Sequence, residues 1–344
     1  MVELNRGARK MMALSAWGLL LLCICFGLGY PTLNRYYPPS THGLGDSKQY
    51  YAMVERGPSA ASGHWKYRIL VPILARPIYG AASGHLRTWN PTSFALLMVN
   101  SAFCAAAALL VSVLAYLVGA NCSIAVIAAF AYLLNFTVAN YQLSGMVDSA
   151  EAFWFVLLNW ALLRSRWWLL PAIALGAGLT KETFLPIAVV FGAVWMLMEP
   201  GEDRPKRLLA ILSMVVLGVA TMLTVRSIID HNLATPWGML AEERQLSPQA
   251  NYNLLAMFRS WNLWLTAGWS FFLFFTAHRF SPGWRYGALA AAAVVVFLAA
   301  WDNAGWDNLA RPLFNVLGAL LAISFALTGG SVQELVKGPG THAP

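Results

Sequence analysis

The sequence predicts an all-α integral membrane protein, a polytopic bundle of about ten transmembrane helices. Of the 344 residues, 58% are hydrophobic and only 11% are charged, whereas soluble domains carry roughly 25% charged residues. The hydrophobic residues also fall in blocks of about 16 to 25, the length that crosses a hydrocarbon core roughly 30 Å thick. A mean hydropathy of +0.57 agrees with a chain that has lipid rather than water as its main solvent.

The first predicted span follows a short basic segment that contains Arg6, Arg9 and Lys10. No small-x-small cleavage site follows this apolar run, so we expect an uncleaved first helix with a cytoplasmic N-terminus. The full set of predicted spans is 12–30, 91–118, 121–141, 149–164, 166–181, 183–198, 208–228, 261–277, 285–301 and 310–328.

Alternating these spans across the bilayer sorts the charges by side. The long loops 31–90 and 229–260 then lie outside, and the C-terminal tail lies in the cytoplasm within a single membrane domain, 1–344. An apolar stretch at 67–82 is broken by prolines and an arginine, which favours a helix along the membrane surface. The short cytoplasmic loops agree with the positive-inside rule, since they hold Arg164, Arg166, Arg204, Lys206, Arg207, Arg279 and Arg285.

Charge and cysteine usage exclude several function classes. The net charge of +8 is spread over many short loops and forms no basic patch, so we expect no nucleic-acid partner. The cysteines show no CxxC pair and no Cys/His spacing typical of zinc, which predicts neither a disulfide framework nor a structural metal site. No other motif requires a cofactor. A divalent metal is compatible with the sequence but nothing indicates one. The cysteines are Cys23, Cys25, Cys104 and Cys122.

Polar residues gather at the outer ends of the predicted helices. Ionisable groups there are costly unless they face partners or a cavity, so this convergence predicts a site open to the external side. Three cations lie at the same level: Arg68, Lys181 and Arg311. The acids are Asp46, Glu55, Asp148, Glu151, Glu182, Asp230, Glu242, Glu243, Asp302 and Asp307.

Each of these residues also has a simpler interpretation. Asp148 can stabilise a helix N-terminus through the helix dipole. Lys181 and Glu182 can neutralise each other at a turn, and Arg311 can extend to the membrane surface. In the first loop, Asp46 can be a loop-capping residue, although flanking glycines would also let a ligand approach it closely. The same loop carries the rings of Tyr50, Tyr51 and Trp65, which can stack on a sugar.

Three short segments give the chain a family resemblance. Asp46 shortly after the first span, the segment Tyr67–Ala75 that reads YRxLxPxLA, and the LTKET segment Leu179–Thr183 resemble bacterial GT-C type glycosyltransferases. Enzymes of that superfamily are polytopic and take sugars from polyprenyl-phosphate donors on the external face of the membrane. The resemblance covers the general layout and these segments rather than the chain end to end.

The resemblance implies roles for individual residues. Asp46 would be the catalytic base, with Asp148 as the alternative acid, in a transfer that inverts the anomeric centre. The donor phosphate would be held by cations, and the substrate-binding set is Arg68, Lys181, Arg311, Tyr50, Tyr67 and Glu182. Many members have an acid pair in the first loop, whereas Asp46 stands alone with Glu55 nine residues on, which weakens the expectation of a metal.

The implied partners are a polyprenyl-phosphate sugar, a lipid or glycan acceptor and the bilayer, in a bacterial inner membrane. Two other classes stay open. A transporter or flippase of a lipid-linked or small anionic substrate would require broken helices and often an internal repeat. The sequence has no repeat, and its charges lie at helix ends. A noncatalytic membrane scaffold would require nothing of Asp46.

Overall fold

The computed structural model describes residues 2–35, 45–119, 121–199, 201, 203–239, 258–301 and 309–337. All regular structure in these ranges is helical, which confirms the predicted all-α class. The helices are α1 (Val2–Tyr30), α2 (Ser47–Arg56), α3 (Leu70–Ala82), α4 (Pro91–Gly119), α5 (Cys122–Leu133), α6 (Asp148–Leu163), α7 (Leu170–Gly178), α8 (Phe184–Met198), α9 (Arg204–Asp230), α10 (Trp261–Ala267), α11 (Ser270–Thr276), α12 (Pro282–Trp301) and α13 (Ala310–Lys337).

Five helices among the described residues are long and apolar enough to cross a membrane. They carry large hydrophobic side chains on their outer surface, which water would not tolerate in such number but lipid does. This supports the predicted membrane protein. The five segments are Met11–Leu33, Pro91–Gly119, Arg204–Asp230, Pro282–Ala299 and Ala310–Gly329.

The centre of the bundle is packed through small residues. Ala107 and Ala108 of α4 are fully buried, as are Ala128 and Ala129 of α5. Small side chains let two helix backbones approach closely, which is the main source of attraction between helices in lipid. The alanine-rich sequence runs therefore serve as helix contacts.

Two of the predicted spans are interrupted. The span at 121–141 is helical only to Leu133, because the side chain of Asn135 accepts a hydrogen bond from Thr137 N at 3.1 Å and competes with the helix. A single π turn, Val138–Gln142, follows before α6. The span at 261–277 consists of α10 and α11, which are separated at Gly268 and Trp269.

The external loops contain more structure than the sequence predicted. The first loop holds α2 as well as α3, and α3 begins at Leu70 because the residues before it, Gly63–Tyr67, form a 3-10 turn. A hydrogen bond from Leu70 N to the carbonyl of Leu179, 2.9 Å long, joins the start of α3 to the end of α7. The second loop begins later than predicted because α9 extends to Asp230, and residues 240–257 lie outside the described part of the chain.

Candidate functional site

Most of the predicted site residues lie at one end of the bundle and meet there. Asp46 precedes α2, Asp148 begins α6, Lys181 lies in the turn between α7 and α8, and Arg311 lies in the first turn of α13. Ion-pair distances of 3.8 Å (Asp46–Arg311), 3.5 Å (Arg311–Asp148) and 3.1 Å (Asp148–Lys181) link these four residues in a chain. The convergence predicted from topology is therefore present among the described residues.

The most deeply buried of these ion pairs form a cluster in which each charged group has a partner. We call it the saturated ion cluster. The ammonium of Lys181 bridges Asp148 Oδ1 at 3.1 Å and Glu151 Oε2 at 2.9 Å. Glu151 also accepts a hydrogen bond of 2.6 Å from the hydroxyl of Thr183. Asp148, Glu151 and Lys181 are 2%, 1% and 6% exposed. Buried charges persist only when they are paired in this way, so the cluster is a fixed part of the structure.

Asn315 of α13 binds both acids of the cluster. Its amide donates to Glu151 Oε2 at 2.7 Å and to Asp148 Oδ1 at 3.3 Å, and its carbonyl oxygen accepts from Gln142 Nε2 at 3.0 Å. The carbonyl oxygen of Gln142 in turn accepts from the hydroxyl of Tyr132 at 3.4 Å. This relay joins α5, the π turn, α6 and α13, so the carboxylates are positioned by the core of the bundle.

The guanidinium of Arg68 also binds other side chains of the protein. Its Nε lies 3.1 Å from Glu182 Oε2, its Nη2 binds the other oxygen of the same carboxylate, and its Nη1 donates to the Tyr50 hydroxyl at 3.3 Å. Burial by itself raises the pKa of Glu182, but the charge and hydrogen bonds of Arg68 outweigh burial and hold this pKa at about 2. Glu182 is therefore ionised, and the pair fixes the first loop onto the turn before α8.

The rings of Tyr50 and Tyr51 lie on the buried face of α2. They are 1% and 0% exposed, and the Tyr51 hydroxyl lies 2.6 Å from that of Ser93. The faces that stacking on a sugar requires are covered by protein. The role of Tyr50 visible in the structure is to hold Arg68.

Asp46 differs from the other acids of the site. It occupies the position before α2, but its carboxylate makes no capping hydrogen bond, so the simple capping interpretation has no support. Its side chain is 38% exposed, against 3% for Asp148, and it faces Arg311. It is thus a carboxylate within reach of both solvent and a cation.

Gly145 brings Asp46 over the buried cluster. This glycine has φ of +84°, and a Cβ at this position would lie 3.3 Å from the Tyr51 ring and 3.6 Å from Ser47 Cβ. A side chain would therefore be strained by conformation and crowded by α2. The close approach places the start of α2 beside Met146, whose sulfur accepts from Arg311 Nη1 at 3.2 Å.

Short helices border the site. Four of them are 12, 16, 9 and 15 residues long, and at roughly 1.5 Å per residue no one of these helices by itself spans the roughly 30 Å hydrocarbon core. Ser149 binds Asn100 at 2.6 Å, and Asn100 lies nine residues into α4, or about 14 Å below its start. The acid cluster is therefore set below the level where α4 begins.

A second cluster of polar residues lies at the end of α9. The carboxylate of Asp230 binds Lys66 Nζ at 2.5 Å and the Tyr67 hydroxyl at 2.5 Å. The guanidinium of Arg226, which is 5% exposed, lies 4.2 Å from the centre of the Tyr67 ring. Tyr67 thus belongs to this cluster rather than to the group of residues around Asp46.

The prediction from the sequence did not include several residues that contribute to the site. Asn315 follows Arg311 by four residues on an apolar helix, so the two share a face, and this spacing was a usable signal. Arg226, inside an apolar span, was a second one. Of the acids expected at this level, Glu242, Glu243, Asp302 and Asp307 lie outside the described residues.

Within the described ranges, no three His, Cys, Asp or Glu side chains are arranged to hold a metal ion. Between Asp148 and Glu151, the position that a cation would take is filled by the Lys181 ammonium. Comparison with family models, curated proteins and solved structures gives no match to any of them. The geometry of the site is therefore the basis for inferring a function.

Proposed function

We propose that the chain is a membrane glycosyltransferase that moves a sugar from a polyprenyl-phosphate donor to a lipid or glycan acceptor, with Asp46 as the general base. The observation that carries the proposal is the contrast between the two candidate acids. Asp46 has an exposed carboxylate beside Arg311, whereas Asp148 is buried and bound to Lys181 and Asn315. A base must reach the hydroxyl whose proton it takes, and of these two acids Asp46 has that access.

The proposed reaction is a single displacement. Asp46 accepts the proton of the acceptor hydroxyl, whose oxygen forms the new bond to the anomeric carbon. The bond between that carbon and the phosphate oxygen breaks, and its electron pair leaves with the polyprenyl phosphate. A phosphate is a good leaving group that needs charge stabilisation more than protonation. One displacement inverts the anomeric centre.

Arg311 is the best placed phosphate ligand of the three cations named from the sequence. Lys181 is held by two buried carboxylates and Arg68 by the partly buried Glu182, and moving either cation would leave a charge unpaired. Among the described residues, Arg311 makes longer ion-pair contacts, 3.5 Å from its Nε to Asp148 and 3.8 Å from its Nη1 to Asp46. A phosphate oxygen can compete with Asp46 for the guanidinium of Arg311 without breaking a short ion pair.

The proposal includes ten crossings and an orientation in the membrane. Four further crossings would each consist of one short helix, α5, α6, α7 or α8, together with the residues that flank it, and the α10–α11 pair would form the tenth. Arg164, Arg166, Arg204, Lys206 and Arg207 lie at the end of the bundle opposite the site, and the positive-inside rule makes that end cytoplasmic. Both termini would then be cytoplasmic and the site external, in a bacterial inner membrane. The donor headgroup would bind beside Asp46 and Arg311 while its tail stays in lipid.

The test compares wild type with Asp46→Asn, in detergent, on a panel of polyprenyl-phosphate sugars and lipid acceptors. Release of polyprenyl phosphate is measured. Removing a general base lowers turnover about 10²- to 10⁴-fold, and donor binding should persist. Asp203→Asn is the matched control, because Asp203 is an exposed acid at the opposite end of α9. Equal turnover in wild type and Asp46→Asn would remove Asp46 as the base.

A transporter is the second candidate, and two interrupted helices favour it. The break after α5 and the α10–α11 pair meet where the hydroxyls of Thr137 and Thr266 lie 2.9 Å apart. Discontinuous helices commonly hold substrates in transporters. Proteoliposomes loaded with a labelled polyprenyl-phosphate sugar separate the two functions: translocation without product indicates the transporter, and product formation that depends on Asp46 indicates the enzyme.

A further inference from the structure

A cavity of about 240 Å³ lies beside the second cluster, beyond the end of α9. Its wall includes Tyr67, Arg226, Asp230, Asn232 and Thr235. At roughly 30 Å³ per water molecule it holds about eight waters. It is smaller than the roughly 300–1,000 Å³ of pockets for drug-sized ligands, which indicates a compact ligand.

The charges of the cavity wall face one another. Asp230 lies between the ammonium of Lys66 and the hydroxyl of Tyr67, and the positive charges of Lys66 and Arg226 both act on it. A wall with paired charges of both signs does not select a strongly charged ligand. It offers many hydrogen-bond donors and acceptors in a small volume, because a carboxylate has about four acceptor sites and an amide has both functions. A neutral ligand rich in hydroxyls fits this chemistry.

The position of the cavity relates it to both the proposed active site and the membrane. A smaller cavity that is also lined by Tyr67 and Arg226 extends to Lys181 and Glu182. On the other side, Leu233 lines the larger cavity and is 89% exposed. An apolar side chain in this position suits the membrane interface. A ligand with its polar part in the cavity can therefore carry an apolar part in the lipid.

We propose that this cavity binds the sugar headgroup of a glycolipid, which is the acceptor of the transfer. The assignment as acceptor rests on the proposed function, and it narrows the substrate from a lipid or glycan to a lipid that already carries a sugar. The binding itself does not depend on turnover. Asp230 and Tyr67 would be its sugar ligands, apart from the base and phosphate-binding residues.

The experiment measures binding of methyl hexosides and methyl N-acetylhexosaminides to the full chain in nanodiscs, by saturation-transfer nuclear magnetic resonance. At least one glycoside should bind wild type, and Asp230→Asn should weaken it about tenfold or more, since hydrogen bonds to a charged acceptor are the strong ones. Tyr67→Phe, which keeps the ring, should also weaken binding. Asp203→Asn at the other end of α9 should leave it unchanged. Thermal unfolding of each variant checks the fold.

Three results would overturn the proposal: no glycoside binds, Asp230→Asn binds as well as wild type, or inorganic phosphate displaces the glycoside. The last result would make the cavity an anion site. Failure here is distinguishable from failure of the proposed function. Glycoside binding that depends on Asp230, without turnover by wild type, would support the glycoside site in the cavity and refute the glycosyltransferase function. Turnover that depends on Asp46, without glycoside binding, would support the glycosyltransferase function and refute the glycoside site.

Discussion

Asp46 and Asp148 lie on either side of the same arginine, yet they are in opposite physical situations. The side chain of Asp148 is 3% exposed and binds the ammonium of Lys181 and the amide of Asn315, which also bind Glu151. The side chain of Asp46 is 38% exposed and forms an ion pair with Arg311 at 3.8 Å. In the sequence, both are acids predicted to lie at the external side of the bundle. The difference teaches that burial and partners, more than residue type, separate an acid that holds the bundle together from one available for chemistry.

The contrast has a simple energetic cause. A buried carboxylate without partners would take up a proton or destabilise the fold, so its partners are part of its stability. An exposed carboxylate keeps most of its hydration and can be changed at little cost to folding. Substitutions in the two regions should therefore differ in what they damage.

Lys181→Met is expected to have the largest effect on stability. It leaves the carboxylates of Asp148 and Glu151 together without their shared cation, and breaking a buried pair costs about 3–5 kcal/mol. Thermal unfolding in detergent, followed by circular dichroism, measures the loss. Lys206→Met is the control, because Lys206 forms an ion pair that is 82% exposed on the lysine side and should contribute little. Equal midpoints for Lys181→Met and wild type would refute the saturated ion cluster.

Asn315→Leu should cause the next largest loss of stability. The substitution removes donors to two buried carboxylates and leaves the Gln142 amide without its acceptor, for a cost of about 3 kcal/mol. A double-mutant cycle with Glu151→Gln measures the part that belongs to the Asn315–Glu151 contact. Additive effects in that cycle would mean that the relay carries no coupling.

The sequence was sufficient to bring the site residues to one end of the bundle, but not to pair them. Hydrophobic blocks and the sides of the loops placed Asp46, Asp148, Lys181 and Arg311 at a common level. Which cation meets which acid depends on packing between distant segments. Arg68 pairs with Glu182, 114 residues away, through the docking of α3 on the turn before α8, and no local pattern encodes that contact.

Helix interruptions were harder still to predict. The segments at 121–141 and 261–277 are as apolar as the continuous helices, and hydropathy averages over single residues such as Asn135 and Gly268. Their local hydrogen bonds and backbone freedom end the helices. Composition therefore predicted the all-α class better than it predicted where each helix stops.

Thr183→Val tests the edge of the buried cluster and should have a moderate effect. It removes one hydrogen bond, 2.6 Å long, to the carboxylate of Glu151 while keeping side-chain shape. We expect a loss of about 1.5 kcal/mol, at the lower end for hydrogen bonds to charged groups. Thr235→Val, at a hydroxyl that bonds only to the backbone amide of Gly238 in the described structure, is a comparison expected to cost less. A neutral result for Thr183→Val would show that Glu151 does not need this donor.

The smallest expected effect concerns pH at the exposed edge of the site. Burial first, and then the charge of Arg68, lower the pKa of His64 from 6.5 to about 4. The unfolded chain therefore binds a proton that the folded chain refuses between these values. Stability from this histidine is complete above pH 6.5 and falls as the pH drops toward 4.

His64→Gln should flatten that part of the stability profile, whereas His278→Gln, at an exposed position on the opposite end, should leave the profile unchanged. Thermal midpoints recorded from pH 7 to pH 4 provide the readout. An unaltered slope in His64→Gln would show that the folded protein accepts the proton at its ordinary pKa.

The most direct test of the account measures unfolding and turnover together for Asp46→Asn and Asp148→Asn. We predict that Asp46→Asn stays within about 0.5 kcal/mol of wild type and loses polyprenyl-phosphate release, because an exposed acid is replaced and the base is gone. Asp148→Asn should instead lose about 3 kcal/mol of stability, because a buried pair is broken. A stable, fully active Asp46→Asn protein, or an Asp148→Asn protein that unfolds like wild type, would contradict the division of roles between the two acids.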